Sequence, residues 1–462
     1  MRTKPVIEPD ATAAFAALLI GIALLLSPMF GHFDDTDAQL YQVVIRQMAA
    51  QGAWMDPSYL RQLLPHLREH LPFGFWPFAA AVAIFGEPAG KMVGAIFSLT
   101  TLVGVFIIGR RMLGTWPAVL ATLVLATTDT FFRYGAATRL DPVLMLLANA
   151  AAAPILLGAE SAGAWVAAIS AAALATLVKG PFGLVPFVAA AAARSWGDRS
   201  RKPLLIAATG AVLASAPLIG FLLIDRSFLH AGWWDVYFRL QVLGSATGLR
   251  TDGETGFWYP FVTIAGRFWP GLPFVAYALI LILRRRTRGP DALLAMFCSC
   301  MLLALCLPGR KVWNHELVAY PGLALLAGAS CLPIQDWLQK HAKRAATALV
   351  AAALATVVAS PWIGRIVNGR PCVGSTDFAT QINVLPPGET ILVVSRPTSW
   401  RTLASLAAER RLEPVPLETL PEAASTSAQL AMVEAESAPH PLPAGWEQIS
   451  RARGWLLLRR RE

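Results

Sequence analysis

Residues 89–111 read AGKMVGAIFSLTTLVGVFIIGRR, a mostly apolar run entered past Lys91 and closed by Arg110-Arg111. At about 1.5 Å of rise per helical residue, such a run matches a hydrocarbon core of about 30 Å. Blocks of the same kind recur along the 462 residues, at roughly 11–30, 89–109, 116–132, 142–158, 162–178, 181–195, 203–224, 259–283, 291–307, 316–333 and 344–363. The chain is 55% hydrophobic and only 15% charged, with mean hydropathy +0.52. Soluble chains carry nearer a quarter of their residues as Asp, Glu, Lys and Arg. The reading is an α-helical polytopic membrane protein with about eleven spans. A disordered chain, a disulfide scaffold and an ordinary cytosolic enzyme are excluded.

The net charge of +10 is explained by position. Arg110-Arg111, the run Arg194/Arg199/Arg201/Lys202, Arg284-Arg285-Arg286 with Arg288, and Lys340/Lys343/Arg344 all follow even-numbered spans. With Arg2 and Lys4 they share one side, which the positive-inside rule makes cytoplasmic. The excess is therefore an orientation signal, and no nucleic-acid partner is expected. Cys298, Cys300, Cys306 and Cys331 fall in apolar blocks and Cys372 in a polar segment, so no disulfide framework is implied. The block Ala11–Met29 lacks an A-x-A cleavage site and reads as a retained helix. Pro72–Phe85 is apolar but short, and reads as an interfacial or re-entrant helix on the outer surface.

Two domains follow: a membrane domain over 1–365 with an outer loop 31–88, and a small α/β domain over 366–462 outside the membrane. In the second, Ile391–Val394, Leu430–Val433 and Trp455–Leu458 read as strands and Thr398–Arg410 as a helix.

This threading gathers unusual polar residues on the outer side. They are Asp34, Asp35, Asp37, Tyr41, Glu69 and His70 in the first loop, Arg139 and Asp141 in the second, and Lys179 before Gly180-Pro181. The long loop 225–258 carries His230, Arg239 and Arg250 and ends in Trp258, and Arg310, Lys311, Trp313, His315 and Glu316 come from a later one. Charges at the edge of hydrocarbon are a functional signal. Carboxylates and cations meeting on one face suit chemistry on an anionic, lipid-borne substrate. Plainer readings stand beside this one. The three aspartates suit a helix N-cap, Asp141-Pro142 a helix start, Lys179 a snorkelling end residue, and the tryptophans an interfacial belt.

The order Asp37–Tyr41, Met48, Gly52-Ala53-Trp54, Glu69, Pro72, Trp76, Gly109-Arg110-Arg111, Arg139-Leu140-Asp141-Pro142, Lys179-Gly180-Pro181, a Trp-Pro pair and Tyr320-Pro321 resembles the GT-C glycosyltransferases. More narrowly it is similar to the aminoarabinose lipid A transferase and protein O-mannosyltransferase-like family. The resemblance implies a GT-C fold with outer-face juxtamembrane helices and a periplasmic C-terminal domain in a bacterial inner membrane. It implies inverting transfer of a sugar from a polyprenyl-phosphate donor to a lipid A-like lipid or a protein. On its motifs Asp37, Asp141 and Glu69 are the catalytic carboxylates, and Lys179, Arg310, Lys311, His70 and Arg139 hold the donor phosphate. Tyr41, Trp258 and His315 are expected to contact sugar or acceptor. Carboxylates with histidines nearby could also hold a divalent cation; no other cofactor is implied. Two residues depart from the family pattern: Ala38 stands where a glutamate is common, and His70 where a lysine is expected. A flippase for a lipid-linked saccharide is the rival class. A GT-C-like scaffold without activity is the other. Charges clustered at one interface, with spans nearly charge-free inside, favour the enzyme over paired broken helices at the midplane.

Overall fold

The computed structural model describes residues 9–30, 35–59, 66–250, 253–285, 289–368, 389–394, 403, 406–407, 412–435, 438–439, 441–452 and 455–461. In chain order the helices are α1 (Pro9–Leu26), α2 (Thr36–Gln51), α3 (Trp76–Phe85), α4 (Pro88–Leu113), α5 (Thr115–Thr127), α6 (Asp129–Gly135), α7 (Leu140–Leu156), α8 (Ala162–Lys179) and α9 (Val185–Asp198). They continue with α10 (Lys202–Ile224), α11 (Gly244–Thr247), α12 (Tyr259–Arg267), α13 (Leu272–Arg285), α14 (Pro290–Cys306), α15 (Tyr320–Gly328), α16 (Gln335–Lys340) and α17 (Ala342–Asn368). Five strands follow: β1 (Thr390–Val394), β2 (Glu413–Leu417), β3 (Leu430–Glu434), β4 (Trp446–Ala452) and β5 (Trp455–Arg460).

Among the described residues six helical stretches are long and apolar enough to cross a membrane, or eight if each of two bent pairs is one span. Length alone thus does not reproduce the expected eleven. Thr115–Thr127 and Pro290–Cys306 fall among the shorter apolar helices, and 162–198 passes the test as one stretch. That stretch is folded back on itself. A Cβ at Gly183 would sit 2.5 Å from the backbone of Ala175, eight residues earlier, which a straight helix would hold about 12 Å away. Another expected span, 259–283, is bent by 117° between α12 and α13, where Trp269-Pro270-Gly271 interrupts the helix. The α3 helix has ten residues, too few to cross.

The chain divides into two compact units. The first, residues 1–30, 68–74 and 91–364, holds the helix bundle. Alanines at 148, 151 and 152 of α7, 168, 172 and 175 of α8, and 189–191 and 193 of α9 are buried, so these backbones approach closely. The outward faces are apolar and bare: Leu205, Val358, Val212 and Leu283 are 65%, 65%, 70% and 74% exposed. A bundle with small residues inside and large apolar ones outside is built for lipid rather than water.

The second unit takes residues 31–67, 75–90 and 365–462. It draws α2, α3 and most of the first loop together with the C-terminal domain, a grouping different from a cut at residue 365. Arg46 of α2 shows why: its Nη1 donates to Ala407 O at 2.9 Å and its Nε meets Glu87 at 2.6 Å. The sheet runs β2-β1-β3-β5-β4, with β1 parallel to β2 and β3, and β5 antiparallel to β3 and β4. Leu392, Val394, Ala431, Val433, Trp446, Leu456 and Leu458 form its core. Leu403, Leu406 and Ala407 are helical and buried; the rest of the expected Thr398–Arg410 helix lies outside the described residues.

Candidate active site

The centre of the helical unit's polar end is Asp141. It lies in the first turn of α7, where a negative charge is favoured, and Lys179 is the last residue of α8, where a positive one is. Gly180 closes α8 at φ +66°, a conformation that suits glycine. The helices deliver the two ends to each other: Lys179 Nζ donates to Asp141 Oδ1 at 2.6 Å. Arg139 Nε donates to Oδ2 of the same carboxylate at 2.7 Å. Arg139 and Asp141 are 1% and 3% exposed in their side chains, so this triad is desolvated. Neither Asp141 nor Lys179 therefore behaves as the plain helix-start or snorkelling residue.

An aromatic frame sets Arg139. Its guanidinium lies 5.0 Å from the Tyr134 ring and 5.8 Å from the Trp313 ring, which are 4.6 Å apart. Arg267 sits 4.1 Å over the same indole. Such cation–π contacts hold a guanidinium without consuming its hydrogens. His315 stacks on Phe182 at 4.7 Å, within electrostatic reach of Lys179, Asp141, Arg310 and His70. Arg139, Lys179 and His315 thus converge on Asp141, with Arg310 and His70 in electrostatic reach of His315.

The other expected residues fall as follows. Lys311 is 6% exposed, and its Nζ donates to Pro308 O at 2.7 Å and Thr255 O at 3.1 Å. Together with the bridge Glu254–Lys311 it pins the late loop to residues 253–255. Arg310 N donates to Ser245 O at 2.8 Å and so continues that pinning. Glu69 is exposed and His70 half-buried. Their segment is anchored by Arg68, which stacks 4.6 Å over Trp233 and donates to Ala231 O at 2.8 Å. Trp258 is 67% exposed beside Phe257 and Phe261. In the second unit, Asp35 caps α2 by accepting from Ala38 N at 3.0 Å, so the cap role falls to Asp35 and not to Asp37. Asp37 lies in the first turn, and Tyr41 one turn later packs edge-on to Phe75 at 5.3 Å. Asp34 lies outside the described residues. Among the described residues no group of three or more His, Cys, Asp or Glu gathers to hold a metal ion.

The sequence places Glu316 on the outer face without a role and leaves Tyr237 unmarked. Glu316 is 2% exposed and accepts from the Thr263 hydroxyl, tying the late loop to α12. Tyr237 packs so close to Gly180 that a Cβ there would meet its hydroxyl. Burial pushes the Tyr237 phenol well above its ordinary value, leaving a neutral O–H beside the Lys179 turn. A π-helical stretch, Trp233–Leu243, aims it, with Asp225 accepting from Ala231 N and Trp234 N at its start.

Residues 69–221 match the family described as dolichyl-phosphate-mannose-protein mannosyltransferase. Over 274 residues the chain is 26% identical to an undecaprenyl phosphate-alpha-4-amino-4-deoxy-L-arabinose arabinosyl transferase of Edwardsiella ictaluri (strain 93-146). That match covers 56% of this chain and spans about half, 48%, of the relative. The fold is similar to that of ArnT from Cupriavidus metallidurans bound to undecaprenyl phosphate, with TM-score 0.72 and 17% identity over 96% of this chain and 97% of the other. It is also similar to the archaeal oligosaccharyltransferase AglB from Archaeoglobus fulgidus, with TM-score 0.51 and 14% identity over 92% of this chain and 69% of that one. The chain therefore carries the GT-C glycosyltransferase fold and resembles the aminoarabinose transferases.

Proposed function

We propose that the protein is an inverting glycosyltransferase. It moves a sugar from a polyprenyl-phosphate donor to a lipid A-like lipid, or to a protein, at the periplasmic face of a bacterial inner membrane. The observation that carries this reading is the buried triad in which Lys179 and Arg139 share the carboxylate of Asp141, with His315 in electrostatic reach. Two cations aimed by one carboxylate are preorganised to meet a phosphate. The structures of similar fold, ArnT bound to undecaprenyl phosphate and AglB in complex with a dolichol-phosphate, support such a donor.

In the reaction the bond between the sugar's C1 and the phosphate oxygen breaks, and its electron pair leaves with the phosphate. Preorganised cations in a water-poor site stabilise that charge without reorganising. Lys179 is aimed by Asp141, and Arg139 by its aromatic frame. The acceptor oxygen attacks C1 from the opposite face, which inverts the anomeric centre. For a hydroxyl acceptor, Asp37 takes the proton; for a phosphate acceptor, already ionised, it orients the sugar. Glu69 and Trp258, both exposed to solvent, are proposed to meet the acceptor. Tyr41, buried against Phe75, supports the helix that carries Asp37.

The test uses the full chain in vesicles with a polyprenyl-phosphate-linked sugar, following release of polyprenyl phosphate. Lys179→Ala should lower the rate by about 100- to 1000-fold, while Lys179→Arg retains part of it. Wild-type rates for Lys179→Ala in a folded protein would overturn the assignment. Donor crossing the bilayer with its C1–O bond intact would favour the flippase. Mass spectrometry of envelope lipids and glycoproteins from a strain lacking the chain identifies the acceptor.

A further inference from the structure

The helical unit holds a cavity of about 700 Å³ at the end of α7 away from Asp141. It is walled by α4 from Thr100 to Arg111 and by α7 from Leu146 onward, with Phe297 and Leu325 behind. Its polar lining is already engaged. The Thr100 and Thr101 hydroxyls donate to Ile96 O and Phe97 O of their own helix. Asn149 Nδ2 donates to Met145 O and Val318 O. Among the described lining residues one charge remains, Arg111, at one extremity and exposed. The nearby Arg194, whose guanidinium stands against Gly158, is already held by Asp198 at 2.8 Å.

From Thr100 to Arg111 the wall is about 16 Å long, or half of a hydrocarbon core of about 30 Å. That is the depth of one leaflet. An apolar slot one leaflet deep, ending in a cation at the membrane edge, fits a single lipid molecule. We infer that it is a binding site for an anionic phospholipid, one acyl chain lying between α4 and α7 and the phosphate meeting Arg111. The donor lipid does not suit it, because the phosphate-holding cluster at Lys179 lies about 24 Å away along α7, measured from Asp141 to Leu157. Bound there, the phospholipid fills the gap between helices that would otherwise lack packing partners.

Gly104 provides the probe. It lines the slot, and a Cβ there meets nothing within 4 Å, so a larger side chain enters open space. The full chain is compared in vesicles of phosphatidylcholine alone and of phosphatidylcholine mixed with phosphatidylglycerol. Native mass spectrometry then counts the lipids retained after extraction into detergent. Wild type should retain one phosphatidylglycerol in preference to phosphatidylcholine and unfold at a higher temperature in the mixed vesicles. Arg111→Ala should keep a lipid but lose the preference, by about tenfold in affinity. Gly104→Phe should lose the lipid with sugar transfer intact; Gly104→Leu, milder and better in a helix, is the second variant should Phe disturb folding. Equal retention of both lipids by wild type would overturn the inference. So would undiminished retention in a folded Gly104→Phe or Gly104→Leu protein, or a polyprenyl phosphate as the retained species.

Discussion

At the scale of single residues, Asp37 and Asp141 separate chemistry from structure. Asp141 holds two buried cations, so Asp141→Asn leaves Arg139 and Lys179 facing each other without their anion. Breaking such a buried pair costs about 3–5 kcal/mol. The expected outcome is a lower unfolding temperature together with lost transfer, read by thermal scans of purified protein. Asp37→Asn should abolish transfer while leaving membrane insertion intact, with the cap of α2 kept by Asp35. Full activity in that variant would sink the role given to Asp37. The positions Asp141 and Lys179 were legible in the sequence because one adjoins a helix-starting proline and the other a helix-ending glycine. Their mutual contact was not, since 38 residues separate them. Lys311 shows a different limit. Its Nζ is taken up by two main-chain carbonyls, and carbonyls are common to every residue, so no letter of the sequence announces them.

At the scale of elements, the turn between α8 and α9 sets the site. Gly180→Ala places a methyl against the Tyr237 hydroxyl in a backbone region that alanine avoids. It should reduce transfer at least as much as Lys179→Arg while the protein still inserts; unaltered kinetics would remove the turn from the mechanism. The legibility of strands follows burial. The three strands expected from sequence, β1, β3 and β5, occupy the middle of the sheet and read as apolar runs. The two unforeseen ones, β2 and β4, are its edges. Edge strands carry prolines and polar residues, as in EPVPL and WEQISRA, and so lack the run that marks a strand. The bend between α12 and α13 escaped notice because hydropathy averages across a kink.

At the scale of the whole molecule, the apolar blocks made the membrane class legible, while the two bent helix pairs and the shorter helices kept length from counting the spans. The grouping of the first loop with the C-terminal domain was hidden, because it rests on contacts such as Arg46 to Ala407, 361 residues apart. Sidedness can be tested in a variant with its five native cysteines replaced. Leu249→Cys, 81% exposed in the native residue, should react with an impermeant maleimide in intact cells. Ser161→Cys at the opposite end should react only after permeabilisation. The reverse pattern would invert the proposed orientation.

The sheet's borders have a consequence for how this protein lives among others. Prolines 414 and 416 stand two apart on β2, so their missing N–H groups fall on one side of that strand. Turned toward β1 they would starve its carbonyls, so they face outward. At the other border β4 shifts register between Gln448 and Ser450. A visiting strand thus meets too few donors on one border and a broken rhythm on the other. The domain is guarded on both flanks against being extended by a neighbour, and crowded copies on one membrane can jostle without zipping into fibres.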